Sequence, residues 1–356
     1  MQTRALLPMA PLLIGVVAMF FYVFYRSFAI FNRYPSKRLL LVIALVFSGI
    51  AFFSIWYGWE SVAFIVLWTF CSWGLVLAFI LCILFAIEHL ISVWYKVNPF
   101  ISVWVIACVL ALWVFFSLHT KITHLDITSE KIDDDVKILL VSDIHVDYVL
   151  NRYHLRTIWK LIEQEQPNMV IIAWDLLNRP HPWYIDAYKF FQEKNYNIPI
   201  IAIMGNHDVM WTREVYQKIS EVSPIEFLDN QSVEIDGIQI VWIVDKSVWG
   251  KESLKNNLDE TAMDMSWEPF TILMTHQPIA LEKLEDYPID LEVAWHTHRG
   301  QIYWFRKVVE LMNDYDYWKF EKDWKIAFVT QGIWTWGLPF RLWTQSEAVI
   351  INLRSK

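Results

Sequence analysis

Four long apolar stretches that contain no charged residue dominate the first 118 residues. They run about Pro8–Tyr25, Leu39–Tyr57, Val62–Ala86 and Phe100–Leu118. A helix needs roughly 20 apolar residues to cross a bilayer, so each stretch is long enough or nearly so. The alternatives are buried core helices or, for the first stretch alone, a signal peptide, although no small-residue cleavage site follows it. The pattern predicts a four-helix all-α transmembrane region over residues 1–118.

Charge in the connecting loops predicts the orientation of these helices, because cytoplasmic loops carry an excess of Lys and Arg. The first loop has four basic residues, the second has none and the third has one: Arg26, Arg33, Lys37, Arg38 and Lys96. Loops one and three are therefore expected inside, although Arg4 opposes this weakly. The predicted location is the cell membrane, multi-pass, with everything after Leu118 on the extracytoplasmic side.

The remainder of the chain is acidic. Residues 1–118 carry a net charge of +4, and the rest carries −12. A part this acidic is a poor candidate for binding nucleic acid through its phosphates, and it needs local cations before it can hold any phosphate. All three cysteines lie in the apolar part, so the polar part has neither a disulfide nor a thiolate metal site. The sequence leaves the oligomeric state open.

The polar part changes pattern after residue 135. Residues 119–135, which include the charge run Glu130–Asp135, predict a solvated linker. From residue 136 to 356, short apolar runs alternate with amphipathic segments, which predicts an α/β domain. The predicted strands are Val136–Val141, Met169–Ala173, Ile198–Met204, Ile238–Val244, Thr271–Met274, Leu291–Ala294, Ile326–Thr330 and Ala348–Asn352. The predicted helices are Tyr153–Gln166, Tyr184–Glu193 and Arg213–Val222.

Five short polar motifs lie at or just past the carboxyl ends of these predicted strands. They are Asp143-Ile-His145, Trp174-Asp175, Gly205-Asn206-His207-Asp208, Thr275-His276 and His296-Thr297-His298. Sheets of α/β proteins build their sites from such loops. Each motif alone has an ordinary structural explanation, such as a capping pair or a satisfied polar residue. Together, oxygen and imidazole ligands without thiolate indicate a site for manganese, iron or zinc.

The order of these motifs resembles the calcineurin-like metallophosphoesterase superfamily over about Val136–Leu353. The run Gln331–Arg341 and the segment His298–Gln301 look like the bacterial branch that carries N-terminal membrane segments. The resemblance implies an α/β fold, a calcineurin-like metallophosphoesterase sandwich, and a metal-dependent phosphoric ester hydrolase.

The resemblance also implies roles for individual residues. The first metal would be held by Asp143, His145 and His298, the second by Asn206, His276 and His296, with Asp175 bridging both. The two ions would be divalent or trivalent transition metals. A water or hydroxide between them would attack phosphorus in line, while His207 would stabilise the phosphoryl oxygens or protonate the leaving group.

Two residues near the motifs bear on how this site would work. Asn178 stands three residues after Asp175, where the family often has an Asp that orients the catalytic His. An amide can hydrogen-bond but cannot balance an imidazolium charge. Arg299 could meet a substrate phosphate, and so could Arg341 farther along the chain, although a surface or structural role is the alternative for each.

Tryptophan and glycine contents are anomalous. The chain has 21 Trp and 10 Gly, so Gly is under 3% of the residues, against a usual content of about 7%. Trp174, Trp295, Trp334 and Trp343 stand where the resembling family has Gly, and Trp324 falls at a turn position suited to Gly. Two explanations stay open. Either these indoles are real and crowd the site, or their codons are UGA, which some lineages read as glycine.

The favoured function is a membrane-anchored dinuclear-metal phosphoesterase that hydrolyses phosphate esters or pyrophosphates through a metal-activated water. An anchor favours a phosphorylated substrate at the membrane face, such as a lipid headgroup or an envelope precursor. The alternative is a non-catalytic membrane receptor or scaffold with a degenerate phosphoesterase domain, which the tryptophans beside the ligands would support.

Overall fold

The computed structural model describes residues 9–29, 31, 33–57, 62–95, 98–145, 151–173, 189, 197–203, 213–228, 232–243, 254–263, 265–301, 303–335 and 341–356. The chain divides into two compact units, Met1–Leu112 and Trp113–Lys356. The predicted helix Tyr184–Glu193 lies, apart from Lys189, outside the described residues.

Helices form at all four predicted apolar stretches. They are α1 Met9–Ala29, α2 Lys37–Tyr57, α3 Val62–Trp94 and α4 Pro99–Leu118, so α3 extends two turns beyond its predicted end. Among the described residues, the segments Leu77–Trp94 and Phe100–Leu118 are long and apolar enough to cross a membrane by length and composition, whereas Ile14–Ala29 is a shorter apolar helix. Thus two of the four predicted spans meet this criterion.

The helices of the first unit pack through small and aromatic side chains. Phe20 of α1, Ala44 of α2 and Ala78 of α3 form a buried cluster, in which the two alanines allow close approach of the helix backbones. Arg26 and Glu88 form a largely buried ion pair between α1 and α3. The only two acidic residues before residue 119 are Glu60 and Glu88, and this pairing gives Glu88 a compensating charge in an otherwise apolar unit.

The second unit contains two six-stranded sheets. Across the first sheet the strands are β1 Lys121–Ser129, β12 Glu347–Ser355, β2 Val136–Ser142, β3 Met169–Ala173, β4 Ile200–Ile203 and β5 Ile225–Leu228. Across the second they are β10 Trp318–Lys322, β11 Lys325–Val329, β9 Leu291–Ala294, β8 Phe270–Thr275, β7 Ile238–Trp242 and β6 Ser232–Ile235. The helices are α5 Asn151–Glu165, α6 Arg213–Val222, α7 Leu254–Ala262 and α8 Tyr303–Met312.

The alternation of side chains along the strands shows that the two sheets pack face to face as a sandwich. In β7, Ile240 and Trp242 join the buried cluster that contains the first sheet, whereas Val241 joins a second cluster with Leu258 of α7. Successive side chains of a strand point to opposite faces. The inner face of the second sheet therefore packs on the first sheet, and its outer face packs on a helix. This is an α/β sheet sandwich.

Parallel pairing gathers strand ends at one edge of each sheet. Strands β2 to β5 pair in parallel in the first sheet, and β7, β8, β9 and β11 do so in the second. All eight strands predicted from apolar runs are present, with ends that differ by no more than three residues. The predicted motifs therefore follow the carboxyl ends of real strands, which is where α/β sheets place their sites.

Residues 119–135 are not a solvated linker. Lys121–Ser129 forms β1, which pairs in parallel with β12 along nine residues. Its buried residues alternate with polar ones: Thr123, Leu125 and Ile127 are buried, while His124 and Asp126 are exposed. A period of two is the signature of a half-buried strand, and the neighbouring charges conceal it in the sequence.

The end of α4 also belongs to the second unit. The backbone N–H of Ser346 donates to the Phe116 carbonyl at 3.1 Å, and its hydroxyl donates to the Ser117 carbonyl. The Arg341 N–H donates to the Trp113 carbonyl at 3.4 Å. The boundary between the units therefore precedes residue 113 rather than following Leu118.

Truncation should locate this boundary. A version of the chain that begins at Trp113 should fold, and one that begins at Thr120 should fold with about 2–4 kcal/mol less stability, because each lost hydrogen bond contributes about 0.5–1.5 kcal/mol. A version that begins at Val136 lacks β1 and should not fold, because β12 loses one of its two partner strands and the nine-residue pairing with it. Urea unfolding followed by tryptophan fluorescence measures all three. Equal stability of the Thr120 and Val136 versions would show that β1 is dispensable.

Candidate metal centre

Asp143 and His145 leave the end of β2 in a tightly constrained backbone. The Asp143 N–H donates to the Ala173 carbonyl at 3.3 Å, so the residue is tied to the end of β3. Its Oδ2 accepts from the Ser142 hydroxyl at 3.0 Å. Both side chains are buried. A fully buried carboxylate is costly unless it is paired or binds a cation.

His298 completes a compact group of three with these residues. One ligand atom from each of Asp143, His145 and His298 lies within 4.8 Å of the others. His298 Nε2 is 3.6 Å from Asp143 Oδ1, and the two imidazole rings are 5.8 Å apart between centroids. One carboxylate and two imidazoles suit zinc, iron or manganese, whose bonds to nitrogen and oxygen are about 2 Å. The donor set therefore fits a transition-metal ion.

His276 and His296 form a second group beside the first. His276 follows β8 and His296 follows β9, and their ring centroids are 4.2 Å apart. His276 is buried, whereas His296 is exposed. The charge of His296 also reaches His298, where it helps to lower the pKa of that imidazole. Five of the seven predicted ligands thus lie at adjoining ends of the two sheets.

Backbone strain marks the same residues. Asp143, His145, His296 and His298 have φ values of 52°, 44°, 55° and 43°. The left-handed region is uncommon for residues other than glycine, and strain of this kind clusters at functional sites. The two histidines do not extend β9, as a strand placement of His-x-His would require. They occupy a bend and a 3₁₀ turn, His298–Gly300.

Burial controls the protonation of His298. Its pKa lies well below the usual value for histidine, first because the ring is desolvated and then because Arg341 is close. The imidazole is therefore neutral at pH 7. The neutral form has the lone pair that a metal ligand needs.

Comparison with known proteins decides the family. The sequence profile of the calcineurin-like phosphoesterases matches residues 136–329, more than half of the chain. The chain belongs to the calcineurin-like phosphoesterase family. This confirms the resemblance drawn from the five motifs, and it covers the strands that position all five described ligands.

Individual relatives of this calcineurin-like phosphoesterase are distant. An uncharacterized metallophosphoesterase of Helicobacter pylori is 27% identical over 243 residues, which are 66% of this chain and 64% of the relative. A transmembrane protein with metallophosphoesterase domain of Danio rerio is 26% identical over 251 residues, 66% and 57% of the two chains. The matched region is less than two thirds of each relative. A dimetal phosphatase structure from Danio rerio has a TM-score of 0.34 and 12% identity, covering 56% of this chain and 88% of that one.

Arg341, which the sequence offered beside Arg299 as a possible contact for a substrate phosphate, is a buried cation at this phosphoesterase site. Its Nη2 donates to the carbonyls of Gln331 at 2.7 Å and Gly332 at 3.2 Å, and to that of Trp334. Burial lowers its pKa to about 10, while the charge of Asp143 opposes that shift. The guanidinium therefore stays protonated at neutral pH. Within the described part of the chain, its Nε and Nη1 have no hydrogen-bond partner.

Glu347 is a second buried charge, and sequence analysis missed it. Its carboxylate accepts four hydrogen bonds, from Thr123, Tyr317, Thr330 and the Gln331 backbone, at 2.6, 2.9, 3.1 and 3.2 Å. Its own N–H donates to the Gly332 carbonyl at 2.9 Å. Glu347 therefore positions the loop that follows β11. Nothing in the sequence distinguishes it from a surface glutamate, because its donors come from distant segments.

Of the remaining predicted site residues, the structure describes only Arg299. Arg299 lies over the Tyr317 ring, with Cζ 4.1 Å from the centroid. The Tyr317 hydroxyl donates to Glu347, so Arg299 is linked to the same network. Four predicted residues lie outside the described part of the chain: Asp175, Asn178, Asn206 and His207.

Gly332 packs directly against the Asp143 carboxylate. It has a φ of 76°, and a Cβ built on it would lie 2.5 Å from Asp143 Oδ2. Neither the backbone conformation nor the available space admits a side chain here. The loop after β11 can therefore close over the first group of ligands only with glycine at 332.

Substitution of this glycine should disable the metal site. We expect Gly332→Ala to displace the Asp143 carboxylate and lower metal affinity at least ~10-fold, because ligand orientation controls affinity. Gly237→Ala is the matched control: its φ is 73°, but no atom lies within 4 Å of the added Cβ. Both should lose about 1–2 kcal/mol of stability to left-handed strain. Zinc or manganese titration and thermal unfolding of the full chain in detergent separate the effects. Equal metal affinity in the two variants would contradict this assignment.

Proposed function

We propose that this protein is a membrane-anchored dinuclear-metal phosphoesterase that hydrolyses phosphate esters or pyrophosphates. The observation that carries the proposal is the buried group of Asp143, His145 and His298 with the His276–His296 pair beside it. Family membership makes the chain a calcineurin-like phosphoesterase. The residue placement supports two ions rather than one, because the five described donors form two adjoining sets.

In this proposal each ion has its own ligands and one that is shared. Asp143, His145 and His298 would hold the first ion, Asn206, His276 and His296 would hold the second, and Asp175 would serve both. Manganese, iron or zinc in such a pair would supply Lewis acidity and a nucleophile at neutral pH. The neutral state of His298 favours binding, because no proton has to be displaced from the ring.

The side chains around the ions then bind and protonate the substrate. Arg341 brings a fixed positive charge beside Asp143, which offsets negative charge in an acidic domain. Arg299, oriented by Tyr317, is a candidate partner for a substrate phosphate. His207 would stabilise the phosphoryl oxygens or protonate the leaving group. Asn178 stands where the family often has an Asp, and its amide could hydrogen-bond to that imidazole but could not balance its charge.

Anchoring determines which substrates reach the site. The apolar segments Leu77–Trp94 and Phe100–Leu118 and the name of the Danio rerio relative support membrane insertion. The loop charges support an extracytoplasmic catalytic domain. The substrate would then be a phosphorylated molecule at the membrane face, such as a lipid headgroup or an envelope precursor.

One observation favours the receptor or scaffold alternative. The side chains of Trp295 and Trp334 are almost completely buried, and the Trp295 ring lies 6.4 Å from that of His276. An indole at position 295 takes up volume beside this ligand that a substrate would otherwise use. A protein with such a filled site would keep the fold and bind partners without turnover.

Metal content and turnover separate these functions. Full-length protein in detergent, loaded with manganese or zinc, should bind two ions per chain and hydrolyse a generic aryl phosphate ester. Asp175→Ala should lower turnover more than ~100-fold, because it serves both ions and even outer-shell partners are worth 10–100-fold. Asp133→Ala, at an exposed position, is the control. Fewer than one ion per chain together with no turnover would favour the receptor.

Topology needs a separate measurement. A reporter that is active only outside the cytoplasm, fused after Lys356, should be active in cells, because the basic residues lie in loops one and three. A reporter that works only in the cytoplasm, fused at the same point, should be silent. The reverse pattern would place the catalytic domain inside.

A further inference from the structure

Two exposed tryptophans adopt a backbone conformation that suits glycine. Trp318 has a φ of 83° and Trp343 a φ of 57°. The glycines with positive φ, at 237, 300 and 332, have values of 73°, 69° and 76°. A positive φ is a genuine outlier for a bulky residue, whereas glycine adopts it without steric cost. Because 42% of Trp318 and 64% of Trp343 are exposed, burial of their indoles does little to offset the strain.

A pair of matching hairpins identifies a third position. The two-residue loop Asp236-Gly237 joins β6 to β7, and Asp323-Trp324 joins β10 to β11. The two aspartates have φ values of 50° and 56°. Tight hairpins favour Asp-Gly because the turn requires positive φ at both residues. Gly237 meets this requirement with its positive φ. Trp324 does not have a positive φ, and its side chain is 48% exposed.

Two further tryptophans are buried in the segments that carry the metal centre. Trp295 and Trp334 are among the three largest fully buried side chains of the described residues. Trp295 directly precedes His296, and its ring lies 6.4 Å from that of His276. Trp334 follows Gly332 in the loop that Arg341 holds through three carbonyls. These contacts of Arg341 involve only backbone atoms, so they do not depend on a side chain at 334.

Composition gives these positions a common cause. The chain has 21 Trp and 10 Gly, and their sum is near 9% of the residues. That sum is ordinary, because proteins usually contain about 7% Gly and a little Trp, whereas the separate Trp and Gly contents of this chain are unusual. The codon UGA is read as tryptophan in some genetic codes and as glycine in others. Exchange of one residue for the other at UGA codons would produce both the surplus and the deficit.

We propose that positions 318, 324, 343, 295 and 334 are encoded by UGA and are glycine in the protein that the cell makes. Glycine at 318 and 343 relieves left-handed strain, and glycine at 324 restores an Asp-Gly hairpin. Glycine at 295 removes the indole beside His276, and glycine at 334 removes a buried indole from the loop after β11, which leaves more space at the metal centre. The inference goes beyond the proposed activity and does not depend on it.

The coding DNA and the native protein test the proposal directly. All five codons should read UGA, and mass spectrometry of peptides from the source cells should show glycine at each position. Trp336, which matches a tryptophan in the resembling family, should have the codon UGG and remain tryptophan. UGG at codon 318 or 343 would overturn the proposal. Tryptophan in the native peptides despite UGA codons would overturn it as well.

Stability gives an independent readout on the full chain. Trp343→Gly should raise the melting temperature by about 2–4 °C, because the left-handed strain it removes is on the order of 1 kcal/mol for one residue. Trp267→Gly is the matched control, since Trp267 is 55% exposed and its φ is not positive. The control should show no increase. A decrease for Trp343→Gly as large as that of the control would overturn the proposal.

Activity then distinguishes this inference from the proposed function. The double variant Trp295→Gly/Trp334→Gly should hydrolyse an aryl phosphate ester at least ~10-fold faster than the chain with both tryptophans, because substrate positioning beside the reacting groups controls rate. If the codons read UGA and the double variant binds two ions without turnover, the phosphoesterase function fails while the glycine assignment stands. If the codons read UGG, the assignment fails whatever the activity.

Discussion

The buried carboxylate of Asp143 is the constraint on which the rest of the site depends. Such a charge needs compensation, and the Ser142 hydroxyl, the Arg341 guanidinium and the imidazoles of His145 and His298 surround it. Space is also limited, because a methyl group at position 332 would clash with the Asp143 carboxylate. The Ile333 N–H donates to the Ser142 carbonyl at 2.9 Å, so the second sheet is tied to the first at this point. The contacts that join the two sheets at this edge are therefore the same contacts that bring the ligands together.

The last sixteen residues connect this edge of the sandwich to the rest of the unit. Glu347 begins β12, which lies between β1 and β2, and its carboxylate gathers donors from β1, from the segment before β10 and from the loop after β11. Four hydrogen bonds to one buried carboxylate fix its orientation. Arg341 and Ser346, in the same segment, bond to the end of α4. Elements more than 200 residues apart in sequence thus set the position of Gly332, and through it that of Asp143.

Much of this arrangement could be predicted from the sequence, for identifiable reasons. Leu291–Ala294 is a continuous apolar run between polar motifs, and it forms β9 at the predicted residues because a strand buried on both faces leaves that signal. The same logic missed β1, whose exposed His124 and Asp126 look like linker residues. It also left the role of Arg341 open and missed Glu347, because a buried charge is recognisable only with its partners, and those come from elsewhere in the chain. The left-handed turn at His296 and His298 likewise depends on tertiary contacts rather than local propensity.

Strain inside the metal centre and strain outside it need different explanations. Asp143, His145, His296 and His298 have left-handed backbones, but Asp and His tolerate this region better than bulky residues do, and ligand orientation gives the strain a function. Trp318 and Trp343 adopt the same region, are 42% and 64% exposed, and are not among the predicted metal ligands. Glycine would adopt this backbone without steric cost, so a marginally stable domain would gain from glycine at both positions. The strain at these two positions therefore bears on which amino acid the gene encodes.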